Sequence, residues 1–89
     1  MTITIDTLWT RLAAHKGETF TQIRGGEFTY ALTDAALLPD RTDWAIPRKQ
    51  FEEALSLAPL ANTVPVNHLY GPSFIYAVLM DQRIRRDDW

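Results

Sequence analysis

The feature that most constrains this chain is the run Phe74-Ile75-Tyr76-Ala77-Val78-Leu79-Met80, opened by Gly71-Pro72-Ser73. Seven apolar or aromatic residues behind a Gly-Pro pair read as a helix without a polar face, over about 72–82. A helix of that kind must be enclosed by its own domain or by a partner. The chain has 89 residues with which to enclose it. The segment is therefore expected at the centre of the fold, with Ile75, Val78 and Leu79 inaccessible. It also raises the prospect of a second subunit.

Size and charge bound the function classes. At 89 residues and 46% hydrophobic, the chain is expected to be one compact domain over residues 1–89, with 83–89 as a charged tail. Nine basic residues face eleven acidic ones, for a formal net charge of -2. A general polyanion binder would carry a clear basic excess, although a local patch remains open. The absence of cysteine excludes disulfides, thiolate catalysis and cysteine-ligated metal. A small secreted domain usually needs such staples, so a cytoplasmic location is expected. The N-terminus has neither the basic region nor the apolar run of a signal peptide, and no run approaches the ~20 residues that span a bilayer. No membrane partner is expected.

Periodicity organises the remainder. Ile5, Leu8, Trp9 and Leu12, with Ala13 beside them, give an amphipathic helix over 4–16, capped by Thr4 or Asp6 and stopped at Gly17. The β-rich segments Thr19–Ile23 and Phe28–Leu32 flank Arg24-Gly25-Gly26-Glu27, which predicts a hairpin over 19–32 with both glycines at positive φ in a two-residue turn. That register sets Arg24 opposite Glu27 and Ile23 opposite Phe28. It leaves Ile23, Phe28, Tyr30 and Leu32 on one face and Phe20 on the other. Residues 33–43 read as turn-like, with Leu37-Leu38 as a strand stub, and a third short strand is expected near 44–46. Pro47 then opens a helix over 47–58 with Phe51, Ala54, Leu55 and Ala58 inward. Leu60 to Tyr70 is a connector held to the surface by Leu60, Val64, Val66 and Leu69. The expected fold class is α+β: a small antiparallel sheet packed against three helices.

The chemistry-bearing residues are few. His15 and His68 stand far apart and outside metal-ligand spacing, so each reads as a local surface group. Glu52 and Glu53 are adjacent on a helix and point apart, so they make no acid–base pair. Gly71 and Ser73 at a helix start offer an anion site, against the simpler reading of permissive backbone and a good helix initiator. Arg48 and Lys49 open a helix where cations oppose the dipole, Arg41 lies just before, and Arg83, Arg85 and Arg86 form a second cluster. Trp44, Tyr70 and Trp89 lie near these groups and can stack on bases. The competing reading is a solvated face in which Arg48 pairs with Glu52, and Arg85 and Arg86 pair with Asp87 and Asp88.

A helix-turn-helix would need a turn of three or four residues where this connector is far longer. The reading that follows is a non-enzymatic interaction module, self-associating or part of a larger assembly, with a protein partner and no cofactor. Its contacts are expected among Arg41, Trp44, Arg48, Lys49, Arg83, Arg85, Arg86 and Trp89. The alternative is a nucleic-acid-binding accessory protein using the same arginines and lysine. An enzyme ranks third, for want of a nucleophile–base pair, a carboxylate pair or a metal set.

Overall fold

Thr4 starts the first helix, α1 (Ile5–Ala14), by accepting the Thr7 N–H on its side chain at 3.2 Å. This computed structural model describes residues 3–89. α1 turns Leu8, Trp9 and Leu12 inward, as its spacing predicts, while Ala13 faces water. Pro47 precedes α2 (Arg48–Leu57), whose Phe51 and Ala54 are buried. The Trp9 and Phe51 rings meet edge to face at 5.5 Å, which locks α1 to α2.

The hairpin forms in a different register from the one the glycines suggest. Strand β1 (Phe20–Thr21) pairs with β2 (Glu27–Phe28), with Phe20 opposite Phe28 and Thr21 opposite Glu27. Gln22 N–H donates to Gly26 O at 2.7 Å and Gly25 N–H to Gln22 O at 2.8 Å, which leaves Ile23-Arg24-Gly25 as a three-residue loop. Gly25 has φ 93°, whereas Gly26 does not take positive φ, so the expected two-residue turn is corrected. The shift of three positions swaps faces. Phe20 joins Phe28 and Tyr30 inside, and Ile23 is left 45% exposed on the loop. Burying an aromatic ring is worth roughly 1.5–3 kcal/mol, and an exposed Arg24–Glu27 pair at most about 1 kcal/mol. The rings decide the register.

Nor does the expected strand over 28–32 stay whole. Thr29 N–H donates to Asp40 Oδ1 and Asp40 N–H to Thr29 O, both at 2.9 Å, and the chain passes there into a second sheet. In that sheet β3 (Tyr30–Leu32), β4 (Ala36–Pro39) and β5 (Ile46–Pro47) are antiparallel in the order β3-β4-β5. The segment read as turn-like thus supplies the central strand, with Leu37 buried and Leu38 outward. The third strand appears where expected, one or two residues later, in a different sheet from the hairpin. Among the described residues the fold is α+β, with four α-helices and two small antiparallel sheets.

The apolar helix is shorter than its run predicts. α3 (Pro72–Leu79) is followed by a separate turn of helix, α4 (Gln82–Arg85), that Asp81 caps by accepting the Arg83 N–H. Ile75, Val78 and Leu79 are fully inaccessible. They are enclosed by one chain, whose accessible surface of 5015 Å² matches the roughly 5,300 Å² of a folded monomer of this length. The connector also packs as its apolar residues suggest, with Leu60, Val66 and Leu69 buried, although Val64 is exposed.

Candidate functional site

Trp44 lies in the loop between β4 and β5, where the Thr42 hydroxyl donates to its carbonyl at 3.0 Å. Its ring rests on Gly71. A Cβ at Gly71 would stand 2.9 Å from Trp44 Cη2 and 3.0 Å from Ile46 Cδ1, and Gly71 also holds the left-handed conformation (φ 57°) that begins α3. Only glycine meets both demands. Beneath, Trp44 packs edge to face on Phe74, which packs edge to face on Phe28 at 4.9 Å. Tyr70 is set beside Gly71 by its own N–H, which donates to Gln50 Oε1 in the first turn of α2 at 3.0 Å.

Trp44, Ala45, Tyr70 and Gly71 line a shallow apolar depression. Trp44 is 47% exposed and Tyr70 60%. The other two tryptophans use their indole N–H inside the fold, Trp9 on Thr33 O at 2.7 Å and Trp89 on Leu79 O at 2.8 Å. Trp44 Nε1 and the Tyr70 hydroxyl have no hydrogen-bond partner among the described residues. Two aromatic side chains are therefore exposed side by side on one apolar depression.

The arginines behave differently. Arg83 donates to both oxygens of Asp81 at 2.9 Å, to Glu18 at 3.0 Å and to Thr19 O at 2.9 Å, with its guanidinium 3.9 Å from the Phe20 ring centre. Arg48 pairs with Asp6 and lies over Trp9, so its expected pairing with Glu52 is corrected. Asp88 pairs with Arg11 at 2.5 Å and Asp87 accepts from Gln82, so the expected pairing of Arg85 and Arg86 with these carboxylates is corrected as well. Arg85 donates to Trp89 O, and Arg86 Nε to Arg83 O at 3.3 Å. Arg41 donates to Glu27 O at 3.3 Å, and Lys49 is exposed. Of the residues singled out from sequence, the fold joins Trp44 to Gly71 and gathers Arg83, Arg85, Arg86 and Trp89 around α4. Arg48 and Lys49 stay at the start of α2. Ser73 Oγ is occupied by the Gln22 side-chain amide at 2.9 Å.

Both histidines gain a carboxylate that spacing alone did not suggest. His15 Nδ1 meets Glu18 Oε2 at 2.9 Å, and His68 Nε2 meets Glu53 Oε2. The His15 contact, with Arg83 behind it, holds the Glu18 carboxyl below its ordinary range. The Arg83 guanidinium does the same for Asp81. Burial pushes the Tyr30 phenol up; its hydroxyl donates to Leu12 O at 2.5 Å and fastens β3 to α1. Among the described residues no group of three His, Asp or Glu side chains is placed to hold a metal, and no helix is long and apolar enough to cross a membrane.

No family model, curated protein or solved structure matches this chain in comparison.

Proposed function

We propose that this protein is a non-enzymatic interaction module whose contact surface is the Trp44–Tyr70 face. One observation carries the reading: two exposed aromatics line one apolar depression, with Trp44 seated on Gly71 and Phe74. Exposed aromatics with a polar handle are the side chains that most often anchor protein contacts. From sequence alone, association is expected because an all-apolar α3 needs cover. Since α3 is enclosed within the chain, the support for association moves to this face. The nucleic-acid alternative is weakened because Arg48 and Arg83, two of the cations it would use, are held in intramolecular pairs.

A photo-crosslinking aromatic placed at position 70, with exposed apolar Leu57 as the control position, tests the proposal. A discrete protein adduct is expected from position 70 and none from position 57. Adducts of equal yield at both positions, or none at either, would overturn the reading. Retention on DNA or RNA that falls steeply with salt would promote the alternative.

A further inference from the structure

We infer that Arg86–Trp89 is a sprung strap, which closes one end of the fold under backbone strain and opens by itself while the remainder of the chain stays folded. It is separate from the Trp44–Tyr70 face and does not depend on the function read there. The strain lies in the turn that follows α4. Among the described residues only two non-glycine residues take positive φ, and they are adjacent: Arg86 at 48° and Asp87 at 61°. A side chain resists that conformation, and glycine commonly supplies it where a helix ends. Asp87 has local relief, since its Oδ1 accepts from the Gln82 side-chain amide at 2.8 Å. Arg86 is exposed, and its side chain makes only a long contact from Nε to Arg83 O at 3.3 Å. The preceding residue adds a second cost, because Arg85 Nε is buried without a hydrogen-bond partner.

Backbone strain of this kind persists only where surrounding contacts impose it. Here those contacts lie beyond the turn. The two left-handed residues return the chain toward α1 and α3, where Asp88 meets Arg11 at 2.5 Å and the Trp89 indole donates to Leu79 O at 2.8 Å. Arg11 also lies 5.7 Å from the Trp89 ring centre, and Arg85 donates to Trp89 O. α4 itself is fixed by other means: Ile84 is fully buried, Arg11 donates to Ile84 O at 2.8 Å, and Arg83 is paired with Asp81 and Glu18. The strap can therefore leave without α4. Its release costs a few contacts centred on Arg11 and Leu79 O, relaxes two left-handed residues and lets Arg85 Nε reach water. Trp89 and Asp88 form one wall of the cleft between the start of α1 and the end of α2, alongside Ile5, Leu55 and Ala58. Opening removes that wall.

Hydrogen exchange of the tryptophan indole N–H groups, followed by NMR of the full chain across sub-denaturing urea, tests the strap. Trp9, whose indole donates to Thr33 O at 2.7 Å, reports on the body of the fold, and Trp89 reports on the strap. Trp89 is expected to exchange at least ~10-fold faster than Trp9 and with little dependence on urea, whereas Trp9 accelerates steeply. Asp88→Asn removes the charge opposite Arg11 and should speed Trp89 exchange about 10-fold or more. Arg86→Gly removes the strained side chain and should slow it roughly 3-fold. Phe28→Leu, in the hairpin, should speed Trp9 and leave Trp89 unchanged. Equal rates and urea slopes for the two indoles would overturn the inference, as would Phe28→Leu speeding both alike. So would Trp89 exchange that Asp88→Asn fails to speed, or that Arg86→Gly fails to slow. If Phe28→Leu does not fold, the urea slopes of the unsubstituted chain decide.

Discussion

The Trp44 loop and the C-terminal segment look alike in sequence: each sets a tryptophan within a few residues of arginines and aspartates. Folding separates them. Trp89 donates its indole to Leu79 O, Arg11 reaches Ile84 O and Asp88, and Ile84 is fully buried. Trp44 keeps its donor free and nearly half its surface in water. An aromatic beside charges is thus a binding candidate only where its partners are not already in the chain. Residues 83–89 fasten the fold: Arg83 is tied to carboxylates and a carbonyl and Arg85 to Trp89 O, while Arg86 stays exposed.

The largest effect should come from the fastened side. Ile84→Ala removes a fully buried side chain from α4 and should destabilise the domain by about 2–5 kcal/mol, read from chemical denaturation. A loss under ~1 kcal/mol would show that α4 is only loosely docked and erase the contrast with Trp44.

Acid should loosen the same side. Asp81 and Glu18 have folded-state pKa values depressed by Arg83 and His15, so the unfolded chain binds more protons than the folded one as pH falls. The stability they contribute is present above the ordinary carboxylate pKa of about 4 and is lost as pH falls through their lower folded values. Thermal midpoints should therefore drop below about pH 4, and Asp81→Asn should flatten that part of the drop. An unchanged acid limb in Asp81→Asn would mean that Arg83 does not hold the segment through Asp81.

The smallest effect belongs to the open side. Tyr70→Ser removes a ring that is mostly in water, and the stability should change by no more than about 0.5 kcal/mol. A loss above ~1.5 kcal/mol would make Tyr70 a structural residue and count against its role as a platform.

Local pattern and global arrangement contributed differently to what could be read in advance. The two amphipathic helices, the buried α3 and the α+β class follow from spacing, caps and Gly-Pro punctuation, which act within a few residues and need no knowledge of the fold. Gly25-Gly26 is a strong local turn signal and points to a two-residue turn that does not form. The outcome was set instead by the Phe20, Phe28 and Tyr30 rings finding one core. The central strand β4 looked like a turn, for the ladders that make it a strand come from β3 and β5. Arg48 found Asp6, 42 positions away, in place of Glu52 on its own helix.

The sequence by itself determined that this chain has an apolar helix needing enclosure, a glycine hairpin loop and no cysteine chemistry. Only the tertiary structure decided that one chain encloses that helix, and that Trp44 and Tyr70 meet over Gly71. It also decided that Arg83 and Arg85 are held by partners within the fold. The physical reason is range. Helix spacing and turn chemistry are fixed by neighbours along the chain, whereas a side chain's hydrogen-bond partner is fixed by whatever packing brings within about 3 Å. Trp44 and Tyr70 stand 26 residues apart, and their common face exists because Gly71 has no Cβ where the Trp44 ring must lie.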